Sequence, residues 1–431
     1  MSRAVTGAGP MTAAPVLAGE RESSIDVLRG FALLGILVVN IQMFAFPMLF
    51  PENPGALIDY TDAWNRAGVW ITNLFAFGKM MFLFSLLFGA GVIFYARKFE
   101  SGGLGAGAGL WYRRMAWLLL IGLIHAVFIW YGDILVWYAV VGMTFIWWVR
   151  KWPARALIPL GVGLMVLGAS ATVLIMSGLQ ALETMNQNTA EPMAQPMYDP
   201  TDPAHEIGVF QGGYLGIVFH RLIMLSFMYL IAVPFMYGPF IGGVMCLGMG
   251  LVKNGFLTGK WRTGTYFAFG VGGLGLGAGI AGLVLARAEA DEFASGGLVS
   301  VLTPLVTGPL GGLGWAGLLL GLWKLGALGP VGVALGAVGR MALSNYLLTS
   351  IICTTIFYGY GFGYYAELEY PALFVVVLGV WAVCVVFSLV WLRVLKLPFG
   401  PAEWAWRTLT YGRIVRAGGA TLPARETPPA G

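Results

Sequence analysis

Ten apolar runs, each about long enough to cross a bilayer, follow one another along this chain with only short polar connections between them. A transmembrane helix needs roughly 20 mostly apolar residues. Runs of that kind lie near 30–50, 69–96, 115–131, 133–149, 156–179, 224–252, 264–287, 297–323, 327–358 and 371–395. No strand-period pattern long enough for a barrel occurs, and helices are the other structure that satisfies its own backbone inside lipid. The expected fold is therefore all-α: a polytopic transmembrane helical bundle of about ten spans over residues 25–398. A cytoplasmic tail at 1–24 precedes it, and an interfacial helix and tail at 399–431 follow. Residues 207–225, which hold His220 and Arg221, read either as an amphipathic helix at the surface or as part of a span. Composition agrees. Of 431 residues, 58% are hydrophobic and 10% charged, against about 25% charged in soluble domains. That balance excludes a soluble enzyme, a secreted disulfide scaffold, a disordered chain and a nucleic-acid binder. The 63 glycines lie largely inside apolar runs. They point to close helix packing and offer surfaces for a homo-oligomer.

The charges sit almost wholly in the connections, and their sign alternates. Residues 97–114, 150–155, 253–263, 324–340 and the tail from Arg393 are net basic; residues 51–68, Asp133, 180–208, 287–296 and 359–370 are net acidic. By the positive-inside rule, both termini are cytoplasmic in a multi-pass protein of the plasma membrane, the inner membrane of a bacterium. The net charge of +5 is then a basic inner face plus an acidic outer one, not a polyanion site. The first apolar run is too long for a signal peptide and no small-residue cleavage site follows it, so it stays as an anchor. Cys246, Cys353 and Cys384 are far apart in apolar runs and read as small buried hydrophobes. His205 and His220 have no metal-ligand spacing with a carboxylate, and no metal is expected.

A few polar groups fall within or beside the spans, where an ionisable side chain is costly and points to function. Asp26 and Arg29 are i, i+3 neighbours at the start of the first span. Asn40 lies well inside that span, as interhelical glue or as a donor lining a cavity. Lys79 lies inside the second. It either snorkels outward or faces the interior beside a partner such as Asp133 or a substrate anion. His125 is read as the only histidine buried in a helix. Asp133 stands eight residues on, about 12 Å along a continuous helix, but Gly132 breaks the helix and lets Asp133 fold back. Imidazole there is the natural general base near neutral pH. Arg340 falls at the inner edge of a span, with Asn345 one turn in. The segment from Gly400 to Gly412 begins like a helix, with Pro401 and Glu403 in its first turn and Trp404, Trp406 and Tyr411 suited to the headgroup layer. Gly102 to Gly109 reads as a linker, and the GxxxG pairs Gly275/Gly279 and Gly308/Gly312 as packing.

Taken together and in this order, residues 23–40, 77–91, 122–135, 339–348 and 400–412 resemble the YeiB family, domain of unknown function 418. That family is similar to transmembrane acyltransferases, including acyltransferase family 3 and the lysosomal heparan glucosaminide N-acetyltransferase. The resemblance implies transfer of an acyl group from a cytoplasmic acyl-CoA, such as acetyl-CoA, to a small-molecule or lipid-linked acceptor across the membrane lipid. Acyltransferase family 3 places an essential His eleven residues after the Arg of a Leu-Arg-Gly pattern; here that position is Asn40. On this reading His125 stands in as general base, Asp133 orients it or the acceptor, and Asn40 and Lys79 stabilise the oxyanion or the donor. Arg29 and Arg340, with Asp26 and Asn345 beside them, hold the donor's phosphates. The rival expectation is a proton-coupled transporter or permease, with Lys79, His125 and Asp133 as its relay.

The charge alternation fixes one outcome directly. With single cysteines at Asn186 and Ala430, a membrane-impermeant maleimide applied to intact cells should label the first and spare the second. The opposite pattern inverts the map.

Overall fold

The computed structural model describes residues 23–48, 54–99, 103–187, 202–293 and 296–412. Of the proposed tails, 1–22 and 413–431 lie outside the described residues. Helix α1 (Ser23–Ala45) opens the bundle. Helices α2 (Ala63–Phe75) and α3 (Lys79–Ala96) are two halves of one run. Next come α4 (Ala108–Phe128) and a short α5 (Leu135–Val149), which winds as a π-helix at Gly142–Ile146. Helix α6 (Ala154–Gln187) is followed by the short α7 (Pro203–Phe210) and by α8 (Tyr214–Lys253), which carries a π-helical stretch at Met228–Tyr237 around Pro234. Then follow α9 (Thr263–Ala290), α10 (Gly296–Lys324), α11 (Gly329–Arg340), α12 (Ala342–Phe357), α13 (Tyr370–Leu389) and α14 (Pro401–Tyr411).

The protein is an integral membrane protein of the multi-pass kind. Among the described residues, 8 helices are long and apolar enough to cross a membrane, or 9 if the pair α11–α12 counts as one span. Over their described residues all ten apolar runs are largely helical, but three differ from a simple span. The run at 69–96 breaks at Ala76–Gly78, so Lys79 begins a helix instead of lying inside one. The run at 133–149 yields only the short α5. The run at 327–358 bends by 86° between Arg340 and Ala342, which puts Arg340 at a corner inside the run. Residues 207–225 divide: the first few end α7, and Tyr214 onward belongs to the long α8.

Helix α1 packs against α3, α11, α12 and α13; α3 packs on α8 and α10; α6 lies along α8 and α9 along α10. Lipid gives no hydrophobic drive between helices, so close backbone contact has to supply the association. A Cβ on Gly30 would stand 1.9 Å from the Leu335 carbonyl oxygen, and one on Gly339 would stand 1.9 Å from that of Asp26. Two glycines therefore set how close α1 and α11 come. In α9 the packing glycines are Gly270, Gly273 and Gly277, which meet α10. Gly275 and Gly279 meet nothing within 4 Å, which corrects the packing role expected for that pair; Gly308 and Gly312 do pack, on Gly78 and Phe82.

The fold gathers connections of like sign. Arg150 donates to the carbonyls of Leu104 (3.0 Å) and Ala106 (3.3 Å), Lys253 to that of Trp152 (2.6 Å), and the Trp406 indole to that of Arg114 (2.9 Å). These basic connections form one end of the bundle. Arg66 pairs with Glu289 (2.7 Å), Glu206 accepts from Met48 N–H, and the Gln211 side chain donates to Glu367 (3.1 Å). The acidic connections form the other end.

The glycine contacts predict a pair of opposite outcomes. Gly339→Ala, which forces a Cβ into the Asp26 carbonyl, should destabilise the protein by about 1–3 kcal/mol or more, the overpacking range. Gly275→Ala, at an open helical position, should be neutral or slightly stabilising because alanine is the better helix former by about 1 kcal/mol. Thermal unfolding of the detergent-purified variants checks both, and a reversed order contradicts the packing.

Candidate functional site

His125 lies in the last turn of α4. The helix ends there because the His125 carbonyl takes two N–H groups, from Ile129 (2.9 Å) and Trp130 (2.8 Å), and the chain reverses through Trp130, Tyr131 and Gly132. The reversal brings Asp133 back onto the helix it has just left. A Cβ on Gly122 would sit 2.7 Å from Val136 N and 3.0 Å from Asp133 Oδ1, so a glycine one turn before His125 admits the fold-back. Asp133 Oδ1 accepts from Val136 N–H at 2.7 Å and caps the start of α5. Its other oxygen, Oδ2, stands 2.8 Å from His125 Nδ1. Both side chains are fully buried, at 1% and 0% exposure.

A carboxylate only accepts, so Nδ1 donates in this bond, and in the neutral imidazole Nε2 is then the nitrogen with the lone pair. Nε2 is itself buried and has no hydrogen-bond partner among the described residues. A carboxylate that fixes the tautomer of an imidazole whose far nitrogen is available has the geometry of a positioned general base. The Tyr346 ring packs 4.9 Å from the His125 ring, and its hydroxyl accepts from Ile134 N–H at 3.3 Å.

Tyr346 also lines a cavity of about 290 Å³ that opens at the basic end. Its walls carry Asp26, Arg29, Lys98, Arg114, Arg340 and Arg407. Asp26 and Arg29 form the expected i, i+3 ion pair at 3.0 Å. The Arg114 guanidinium stacks 3.6 Å over Trp406, and Arg407 lies 4.1 Å over Phe399. Arg340 reaches toward the Pro398 carbonyl at 3.5 Å while its Nε has no hydrogen-bond partner among the described residues. Helix α14 supplies one wall and is anchored by Glu403. The bend at Met341 frees the first N–H groups of α12, and Glu403 accepts from Leu343 N (2.7 Å), Ser344 N (3.1 Å) and the Ser344 hydroxyl. Burial pushes the Glu403 carboxyl up, and these hydrogen bonds oppose the shift.

The remaining expected residues stand elsewhere. Lys79 is buried, but it donates to the Asn73 carbonyl (2.6 Å) and to the Thr307 hydroxyl (3.1 Å). It neither snorkels nor meets Asp133, and it does not line the cavity. Asn345 bridges the bend, donating to the Val338 carbonyl (3.3 Å) and Ser388 Oγ (2.8 Å). Asn40 is half-buried within α1 and does not line the cavity. His125 is also not the sole buried helical histidine, because the fold draws α8 inward at its start and His220 is fully covered as well. Sequence patterns did not single out Arg114, Arg407, Tyr346 or Glu206. Glu206, at the acidic end, accepts from Met48 N and the Tyr365 hydroxyl (3.0 Å), and burial lifts its carboxyl to about 7. A lone acid between Asp202 and an apolar stretch was its only signal.

Residues 251–413 match the sequence model of the family described as protein of unknown function, DUF418. The chain is 31% identical over 410 residues to the Escherichia coli (strain K12) protein named YeiB and described as uncharacterized, covering 94% of this chain and 98% of that one. It is 32% identical over 412 residues to the uncharacterized Bacillus subtilis (strain 168) protein YxaH, covering 92% and 96%. An uncharacterized 39.9 kDa protein of Bacillus acidopullulyticus is 26% identical over 401 residues, 93% of this chain and 96% of that one. No solved structure matches.

Proposed function

The chain belongs to the YeiB family, DUF418, and from that premise we propose that it is a membrane-embedded acyltransferase using the His125–Asp133 pair as its base. The observation that carries the proposal is the buried imidazole with Nδ1 held by a carboxylate and Nε2 available. The donor is an acyl-CoA, entering from the basic end, which faces the cytoplasm of a bacterial plasma membrane. A cavity of about 290 Å³ is at the small end of ligand pockets. It takes the acyl-pantetheine arm, while Arg29, Arg340, Arg114 and Arg407 hold the phosphates at the rim. Tyr346, between cavity and imidazole, separates the donor's thioester from the base until the acceptor arrives.

The acceptor, a hydroxyl or amine on a small or lipid-linked molecule, comes from the acidic end. Nε2 takes its proton as the oxygen or nitrogen attacks the thioester carbon. The carbon–sulfur bond breaks, the thiolate leaves, and the imidazolium returns the proton to sulfur. Asp133 keeps the ring oriented and stabilises the cation between those two transfers. Lys79 and Asn345 have structural work at a helix break and a bend, so they are left out of the chemistry.

The broken run α2–α3 and the bent pair α11–α12 favour the second reading, a transporter, since discontinuous helices line many transport sites. A relay through Lys79, however, lacks support, because Lys79 is bonded to Asn73 and Thr307.

One experiment separates the two. Cells carrying the wild-type gene, His125→Ala, Asp133→Asn or no gene are compared by mass spectrometry of surface glycans and membrane lipids. Acyl-CoA binding and substrate-driven proton flux are measured on the purified proteins. His125→Ala should bind donor normally and lose acyl transfer by roughly 10²–10⁴-fold, the range for a general base, and Asp133→Asn should lose less. Wild-type transfer in His125→Ala contradicts the mechanism. Proton flux without donor binding identifies a transporter.

A further inference from the structure

Arg221 is the largest buried charge that the acyl-transfer chemistry does not use. It lies in α8 with no exposure at all. Its Nη1 donates to the Val127 carbonyl at 3.3 Å, in the last turn of α4, and its guanidinium carbon stands 5.3 Å over the Tyr358 ring. No carboxylate lies within ion-pair distance of it among the described residues. The acid of the same cluster, Glu206, has both oxygens committed to Met48 N–H and one also to Tyr365.

The two nitrogens left over, Nε and Nη2, are buried with no hydrogen bond of good geometry among the described residues, although the Tyr358 hydroxyl lies close to the guanidinium. They form one edge of the guanidinium, the edge that grips an oxyanion bidentately. The same fold shows the edge in use: Arg66 Nε and Nη2 hold the two oxygens of Glu289 at 3.1 and 2.7 Å. A buried cation with a two-donor fork and no counter-charge is costly to retain for structure alone. One carbonyl contact at the end of α4 accounts for one of its donors.

The position gives the fork a use. Val127, which Arg221 grips, is two residues past His125 on α4, about 3 Å of rise. Arg221 thus stands at the acidic-end side of the imidazole, opposite the cationic cavity at the basic end. Tyr214, seven residues before Arg221, donates to the next carbonyl, Phe128, at 2.8 Å, so α8 is moored along the end of the helix that carries the base.

We propose that Arg221 is an oxyanion-binding residue for the acceptor, which is an alcohol or amine bearing its own phosphate or carboxylate near the group to be acylated. The inference rests on the acyl-transfer reading for the word acceptor, and on the Arg221 geometry alone for the oxyanion. The fork seats the anionic group, and the neighbouring hydroxyl or amine is thereby presented toward His125 Nε2. A lipid headgroup and a soluble phosphate ester share this chemistry.

The test needs no acyl donor. Purified full-length protein in neutral detergent is titrated with inorganic phosphate and with glycerol 3-phosphate while thermal unfolding is followed. Separate samples are placed in nanodiscs of phosphatidylglycerol or of phosphatidylcholine. The wild type should show a saturable rise in unfolding temperature with a phosphate ligand. Arg221→Lys, which keeps the charge but not the fork, should raise the half-saturating concentration at least tenfold, and Arg221→Gln should abolish the response. Because the basic-end cavity is also assigned phosphate-holding arginines, the same titrations are run in an Arg340→Gln background, where the Arg221-dependent response should persist, and His125→Ala should retain it as well. A response to phosphatidylglycerol alone marks a lipid headgroup, and a response to the soluble ligands marks a soluble acceptor. If Arg221→Gln does not fold, Arg221→Lys decides. A wild type that responds to none of the ligands, or an Arg221→Lys protein that titrates like the wild type, overturns the proposal. Either result leaves donor binding and the His125 dependence of transfer to be judged separately. Conversely, an Arg221-dependent response with no acyl transfer in any strain keeps the oxyanion site and removes the acyl-transfer reading.

Discussion

Charges buried in this bundle are held by helix ends that also lie inside it. Lipid supplies no hydrogen bonds, so a helix that stops at membrane depth leaves bare N–H groups at one end and bare carbonyls at the other. Here each kind of end receives the sign of charge its dipole favours. Cations take carbonyls: Lys79 that of Asn73 at the end of α2, Arg221 that of Val127 at the end of α4, and Arg150 that of Trp147 at the end of α5. Anions take N–H groups: Asp133 that of Val136 at the start of α5, and Glu403 those of Leu343 and Ser344 at the start of α12. The broken spans and the buried charges require each other, and the candidate site is built at one of these junctions.

This pairing also explains what could be read from the sequence. Long apolar runs and alternating connection charge are local properties, and they gave the helical bundle, about ten runs, and the grouping of like-signed connections at two ends. Gly132 was a visible breaker between His125 and Asp133, so the fold-back that joins them was open to inference. Asp26 and Arg29 were adjacent on one helix and paired as expected. The break before Lys79 and the 86° bend after Arg340 were not legible, because an apolar run shows its length but not whether its hydrogen-bond ladder continues. Lys79 and Asn345 consequently looked like site residues, although one closes a break and the other braces a bend. Arg114, Arg407 and Glu403 are separated from one another by hundreds of residues or hidden in a helix read as interfacial. Only the docking of α14 onto α4 and α12 makes them walls of one cavity.

Within this arrangement the His125–Asp133 pair differs from the other junctions. At the others, no titratable side chain shares the charged group: Lys79 and Glu403 bond to backbone and a hydroxyl, and Arg221 and Arg150 to carbonyls. Asp133 divides its two oxygens between the backbone of α5 and the imidazole, and the imidazole keeps one nitrogen uncommitted. The cationic cavity approaches that imidazole from the basic end, with Tyr346 between them. Arg221 approaches from the acidic end along the same helix. A group transferred between molecules on the two sides would meet at His125, and the dry surroundings strengthen each electrostatic contact there.

The tautomer of His125 is the most direct test, and with only 3 histidines in the chain it can be read spectroscopically. Protein labelled with ¹⁵N-histidine, reconstituted in lipid at pH 8, is compared with His125→Ala to assign the His125 ring signals. The account predicts a ring protonated at Nδ1 with a strongly hydrogen-bonded proton, an unprotonated Nε2, and loss of that Nδ1 signature in Asp133→Leu. A ring protonated at Nε2, or one unchanged by Asp133→Leu, would contradict it.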